Sequence, residues 1–374
     1  MVTSPLIPPR QKGHAPRLLI HVPPAMLNRH GQAGFGLYAR IAPALRRIGL
    51  EVSFVERPST THLDSYTRTD FHLVHHGFLR RFNILNSGIA YIWPYWYLDP
   101  RGVLCDSSLA RATPDLEGLP SHRAEAFFDK LQQRMIAGGL SKYRQPDLAG
   151  AIGHDRIVVF LQGMSDPVMR SMYMLETEML DLVVRYRGGR DILIKPHPKW
   201  PDTLASAHAY HLAERHSFVQ IVDRNIHDLL QGAYCSVSIC SGASFEGLLH
   251  RTPAILFGQS DFAACAWTVR TEPEAAEALA HIRDVVFDYE RFLYWFLHRK
   301  AYSQRNPNLP ERVLQRIERT GFDMGLSEAI RMNPERILVT PEQGQGQDKA
   351  PVHKPKPFAQ YHRQDAKKGD GSDS

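Results

Sequence analysis

Two short stretches carry residue types suited to binding a phosphate. Residues 192–198 read ILIKPHP, an apolar run that ends in Lys195-Pro196-His197-Pro198. The two prolines fix φ just past the run and push the residues before them away from helix. Lys195 and His197 are therefore expected at the carboxyl edge of a strand. A cation and an imidazole there can bind phosphate oxygens, and the imidazole can also donate a proton to a leaving group. A rigid strand exit with a solvent-facing histidine is the plainer alternative. Residues 235–258 read CSVSICSGASFEGLLHRTPAILFG. Here a strand is expected to run into Ser241-Gly242-Ala243-Ser244, which opens a helix. Small side chains let a ligand approach the backbone, and unpaired N–H groups at a helix start attract phosphate. Ser241 and Ser244 add hydroxyls, and Glu246 can accept hydrogen bonds from a ribose. Equally, Ser241 fits an ordinary N-cap and Glu246 a favourable dipole partner.

Three further stretches offer chemistry. In residues 158–166, VVFLQGMSD, a buried strand is expected to leave through Gln162 and Gly163 toward Asp166. Asp166 before Pro167 fits an N-cap followed by proline at the first helical position. It also suits a carboxylate placed near a sugar, as nucleophile or as stabiliser of an oxocarbenium-like transition state. Residues 91–108, YIWPYWYLDPRGVLCDSS, are dense in aromatics and contain Asp99-Pro100-Arg101-Gly102. They fit a sugar-stacking wall with a tight turn, or simple core packing, and Arg101 is a candidate for an anionic group. The loop at 31–36 holds Gly34 and Gly36, too few glycines for a dinucleotide fingerprint. It is a candidate for contacting donor or acceptor. His75 and His76, at an expected strand end, fit a packing role better than a ligand role.

The elements that must position these residues alternate in type. Apolar runs at 17–22, 51–55 and 71–75 read as strands, with an amphipathic helix over 37–48 ended by Gly49. Beyond a polar stretch at 138–155, strands are expected at 156–161, 191–195, 218–222, 235–239 and 254–257. Helices at 168–186, 202–215, 226–231 and 244–249 fall between them. Further helices are expected at 121–137, 273–281, 289–302 and 310–320. The alternation predicts α/β architecture with two Rossmann-like, doubly wound domains and ligands outside the carboxyl ends of the strands, in a cleft between the domains. The expected divisions are a flexible leader (1–16), an N-terminal Rossmann-like domain (17–145), a C-terminal Rossmann-like domain (146–290), C-terminal helices (291–335) and a disordered polar tail (336–374).

Composition narrows the class. The chain has 374 residues, 43 % hydrophobic, with a formal net charge of +6 from 45 Lys and Arg against 39 Asp and Glu. The cations are spread along the chain, which disfavours nucleic acid and suits an anionic ligand or a loose hold on an anionic membrane face. No apolar run reaches the ~20 residues of a membrane helix, and the first 16 residues lack a secretory h-region. The four cysteines lack C-x-x-C spacing and read as small core residues of a reducing compartment. Asp-x-Asp, Walker A, H-E-x-x-H and G-x-S-x-G motifs are all missing, and no metal site is expected.

Taken together, Gln162…Asp166, Lys195-Pro-His197-Pro, Ser241-Gly-Ala-Ser244-Phe-Glu246-Gly and Pro253-Ala-Ile-Leu-Phe-Gly258 resemble the bacterial capsule polysaccharide biosynthesis proteins, among them the β-Kdo transferases. The segment from Trp96 to Gly102 is similar to that family's first domain, and the likeness is strongest across 156–258. The resemblance implies the GT-B glycosyltransferase fold and transfer of an acidic sugar such as Kdo from a CMP-sugar to a lipid-linked glycan. It implies no cofactor and no metal, and a cytoplasmic protein, peripheral on the inner membrane, near capsule assembly and polysaccharide transport proteins. It places His197 and the Ser241–Ser244 segment on the CMP phosphate and Asp166 as the catalytic carboxylate of a retaining reaction. Gln162, Lys195, Gly242 and Glu246 are the further expected donor residues; Gly34, Gly36, Asp99 and Arg101 are expected toward sugar or acceptor. Two alternatives stand beside this reading: a polyol-phosphate or sialyl-type transferase with another CMP or CDP donor, and a non-catalytic capsule assembly factor.

Overall fold

The structure is a computed structural model that describes residues 16–27, 36–58, 62–163 and 166–325. Gly34, nearly all of the expected leader and the whole expected tail lie outside these residues. The strands are β1 (Leu18–Val22), β2 (Val52–Glu56), β3 (Phe71–His75), β4 (Ile84–Ile89), β5 (Tyr95–Asp99), β6 (Ile157–Phe160), β7 (Ile192–Lys195), β8 (Val219–Ile221), β9 (Cys235–Ser238), β10 (Ala254–Leu256), β11 (Trp267–Thr268) and β12 (Tyr302–Ser303). The longer helices are α1 (Gly36–Arg47), α2 (Ser121–Met135), α3 (Asp166–Ser171), α4 (Glu176–Arg185), α5 (Leu204–Arg215), α6 (Ile226–Leu230), α7 (Gly242–Gly247), α8 (Glu272–His281), α9 (Tyr289–Leu293) and α10 (Leu309–Glu318).

The chain forms two compact units, each with a six-stranded sheet. Among the described residues, the first takes those from 16 to 88, then 96–102, then 302–325; the second takes 89–95 and those from 103 to 301. This differs from an expected division near 145. Helix α2 and its flanks join the second unit, where Gln132 donates to the Leu249 carbonyl at 2.6 Å. Strand β12 and α10 return to the first, where Arg316 donates to the Leu98 carbonyl at 2.9 Å and Trp96 to Gln304 at 3.2 Å.

In the first unit the strand order is β12-β5-β4-β3-β1-β2, with β2, β1, β3 and β4 parallel. The link from β4 to β5 is too short for a crossover, so that pair is antiparallel. Beneath the sheet the Arg17 guanidinium and Asp70 carboxylate form a buried two-pronged ion pair, at 2.9 and 3.2 Å.

In the second unit the order is β11-β10-β9-β6-β7-β8, and every pair is parallel. Strands buried on both faces read as continuous apolar runs, which is why IVVF and ILIK were legible as strands. The core runs from Ile157, Val159, Ile192 and Val237 to Met179, Val183 and Leu279 on the covering helices. Counted from β6, this order is 3-2-1-4-5-6. Its direction reverses between β6 and β9, and such a switch point opens a crevice at the carboxyl ends of the strands. The two-domain doubly wound α/β class expected from the sequence is thus the one observed.

One expected element is split. The helix expected over 168–186 breaks into α3 and α4, because Met172 pairs as an antiparallel bridge with Gly258 and the Tyr173 N–H donates to the Phe257 carbonyl at 3.0 Å. The backbone hydrogen bonds that would have continued the helix go to the chain leaving β10 instead.

Candidate functional site

The residues at the switch point come from the chain leaving β6, β7 and β9. After β6 the chain continues as Leu161-Gln162-Gly163. The Gln162 N–H donates to Glu176 Oε1 at 2.7 Å, and its own Oε1 accepts from the Cys240 N–H at 2.7 Å. Gln162 therefore ties the two strands that flank the crevice. Glu176, the first residue of α4, is buried, and that burial pushes its carboxyl up to about 7.

After β7 the chain makes a tight turn in which the Trp200 N–H donates to the His197 carbonyl at 3.1 Å. Lys195 is buried and its ammonium donates to Asp223 at 2.9 Å. His197 is half-buried, and its Nδ1 accepts from the Lys199 N–H at 3.1 Å. Burial, then Lys199, then Lys142 hold the imidazole down at about 4, so it is neutral at pH 7. With Nδ1 accepting, the proton sits on Nε2, a donor with no protein acceptor among the described residues. The ring is flanked by Tyr143 (centroids 5.2 Å apart) and Trp200 (4.7 Å). Lys199 and Lys142 both lie by the Tyr143 ring, 5.1 and 5.7 Å from its centroid. Burial and Lys142 lower the Lys199 ammonium as well. The turn thus sets a neutral N–H donor beside two cations, groups whose chemistry suits an anion.

After β9 the chain enters α7. Ser241 is its N-cap, accepting from the Ala243 N–H at 3.2 Å. Ser244 is fully buried and its hydroxyl pairs with Ser238 Oγ at 2.9 Å, so its role is internal to the fold. Gly242 lies against the ring of Tyr91, to which a Cβ there would come within 3.4 Å. Glu246 is buried, accepts from Ser141 Oγ at 2.8 Å, and is pushed up to about 8 by that burial. Its Oε2 has no hydrogen-bond partner among the described residues.

The segment Ser141-Lys142-Tyr143 joins these parts. Ser141 holds Glu246 and Tyr143 packs on His197, and two residues of chain span at most ~7 Å. The β7 turn and α7 are therefore neighbours. His227, donating to the Leu140 carbonyl at 2.8 Å, fixes the same segment from below. Sequence reasoning missed it, because 138–155 shows no periodic pattern. The signal it did carry was a Lys and a Tyr in an otherwise featureless polar stretch.

Other expected site residues sit elsewhere. Asp166 is the first residue of α3, and its side chain lies outside the described residues. Gly36 opens α1 with φ +53 in the first unit. Asp99, also in the first unit, accepts from the Arg101 N–H at 2.8 Å and the Gly102 N–H at 3.2 Å, which closes the turn after β5. Arg101 Nε is buried without a hydrogen-bond partner among the described residues. The aromatic wall is core: Trp96 and Tyr97 are buried, and Trp96 packs edge-on to Tyr38 at 5.4 Å. His75 likewise packs, its Nδ1 2.8 Å from the Tyr38 hydroxyl.

Among the described residues no helix is long and apolar enough to cross a membrane, and no cluster of three or more His, Cys, Asp or Glu is placed to hold a metal.

Fold and site define a doubly wound α/β protein with a cationic, histidine-bearing turn beside the switch point of its second sheet. No family model and no curated relative matches the chain. Among solved structures it is similar to the β-Kdo 2,7 transferase of Thermosulfurimonas dismutans KpsC, with a TM-score of 0.48 and 15 % identity over 82 % of this chain and 100 % of that one. The β-Kdo 2,4 transferase of the same protein gives 0.41 and 18 %, over 70 % and 90 %. A UDP-GlcNAc 2-epimerase from Methanocaldococcus jannaschii gives 0.32 and 9 %, over 81 % and 99 %. These likenesses assign no activity, and the functional reading rests on the site's own residues.

Proposed function

We propose that this protein is a glycosyltransferase of the GT-B type whose second unit holds the phosphate of a nucleotide-activated sugar, and that the donor is a CMP-linked acidic sugar such as Kdo. The observation that carries the reading is the neutral His197, its Nε2–H without an acceptor among the described residues, beside Lys142 and Lys199 at the strand edge next to the switch point. In transfer, the bond between the anomeric carbon and the phosphate oxygen breaks, and its electron pair leaves with CMP. The phosphate gains charge in that step. A hydrogen-bond donor and two ammonium groups already in place favour the charged state over the ground state. They supply the cationic surroundings that a divalent metal provides in other transferases, so activity in a chelator is expected. Asp166, the first residue of α3, is the proposed nucleophile or charge stabiliser. Gln162, Lys195 and Glu246 act through the fold: Gln162 and Lys195 brace strand ends, and Glu246 anchors the Ser141–Tyr143 segment. A lipid-linked glycan acceptor, a place in capsule assembly and a peripheral position on the inner membrane complete the proposal.

Turnover of CMP-Kdo, with binding of CMP, CDP, UDP and GDP by calorimetry, tests it. His197→Ala is expected to lower kcat about 100-fold or more with an unchanged circular dichroism spectrum. Near-normal turnover in that variant would refute the assignment. Preference for CDP over CMP would favour a polyol-phosphate type of transfer. Binding of no nucleotide at all would favour an assembly role without catalysis.

A further inference from the structure

An exposed aromatic ring borders the crevice on its β6 side. Gln162 closes the bottom by bridging to the Cys240 N–H. One residue on, the indole of Trp200 lies directly over Gly163. A Cβ at Gly163 would fall 2.3, 2.5 and 2.9 Å from Trp200 Cε3, Cδ2 and Cγ, three adjoining ring atoms. Only glycine leaves room for the ring in that position. Of the five tryptophans, Trp200 alone is exposed, at 43 %. It arrives from the β7 turn and so reaches across from His197 toward the switch point. A ligand whose phosphate meets His197 and whose remainder enters the crevice must pass over this ring.

We propose that Trp200 is a binding residue that stacks against a ring of the phosphorylated ligand. The inference rests on the nucleotide-sugar reading above and adds the surface that reads the ligand's shape. An indole offers a flat apolar face and suits either a nucleobase or the C–H face of a pyranose. Packing of the indole on bare backbone fixes its plane at little side-chain entropy cost, as a preorganised platform requires.

The test titrates ribose 5-phosphate, CMP and CMP-Kdo into the full chain by calorimetry and by tryptophan fluorescence, comparing the native protein with Trp200→Ala and Trp200→Phe. Stacking predicts about tenfold weaker binding in Trp200→Ala, most of it restored in Trp200→Phe, and unchanged binding of ribose 5-phosphate. Loss confined to CMP-Kdo identifies the sugar as the stacked ring, and equal loss on CMP identifies the base. An equal loss on all three ligands overturns the inference, since the indole would then merely shape the phosphate site. Unchanged affinity for all three in Trp200→Ala also overturns it and leaves the nucleotide-sugar reading standing. Failure of the native protein to bind any of the three defeats both. Gly163→Ala gives a second route: by lifting the indole it should weaken CMP-Kdo as Trp200→Ala does, with a red shift of tryptophan emission.

Discussion

At the scale of single residues, the proposed site sets a half-buried histidine beside buried carboxylates that brace its surroundings. His197 was legible because proline on either side of a histidine after an apolar run has few conformations to choose from. Glu246 was legible as a carboxylate near the site, but not as a buried one. Its partner Ser141 is 105 positions away, and no local pattern marks such a contact. Burial gives Glu246 a testable signature. Its folded carboxyl titrates at about 8, against roughly 4.3 for an unperturbed Glu, so between those values the folded state binds more protons than the unfolded one. Stability then falls as pH rises through that window and levels off above it. Urea unfolding of Glu246→Gln across pH 5 to 9 should show this part of the slope removed, so that the variant gains on the native protein as pH rises. A pH-independent difference between the two would contradict the assigned burial of an ionisable group.

At the scale of elements, parallel strands announced themselves and mixed ones did not. Strand β4 reads ILNSGI, with Asn86 and Ser87 buried among apolar neighbours. Asn86 is satisfied by the Leu79 and Asp99 carbonyls, at 2.8 and 3.1 Å, an arrangement that periodicity cannot show. Strand β5 reads in sequence as an aromatic cluster that fits either a wall or a core, since aromatic residues alone do not say which side of a sheet they cover. The break between α3 and α4 depends on Gly258, where a Cβ would lie 2.7 Å from Ile239 Cγ2 and 2.8 Å from the Ser171 carbonyl. Gly258→Ala should therefore force the chain leaving β10 away from α3 and cost roughly 1–3 kcal/mol, read as a Tm lower by several degrees in calorimetry. A Tm within a degree of the native value would show that this contact gives way freely.

At the scale of the whole molecule, the sequence yielded two α/β units but not the way the chain shares itself between them. Composition shifts mark a stretch that lacks pattern, whereas membership of a unit is decided by what a helix packs on. Helix α10 shows this: Leu309, Val313, Leu314 and Ile317 are buried, and α10 packs on α1, which precedes it by more than 250 positions. A charge placed in that contact, Val313→Asp, should destabilise the first unit by roughly 3 kcal/mol. Hydrogen exchange would then rise across β1 to β5 while β6 to β10 keep their protection. Uniform loss of protection in both sheets would mean that the units do not unfold separately.

The shared chain also bears on how the protein is made. Residues 96–102 and those from 302 onward belong to one unit, with about 200 residues of the other between them. At a synthesis rate of roughly 5–20 residues per second, strands β1 to β5 leave the ribosome ~10–40 s before β12 and α10, which complete their unit. The nascent chain must carry that unfinished sheet while the later sheet, whose segments are nearly contiguous, is able to close ahead of it. The part translated first is in this way the part completed last, and its exposed apolar face is where a chaperone would be needed.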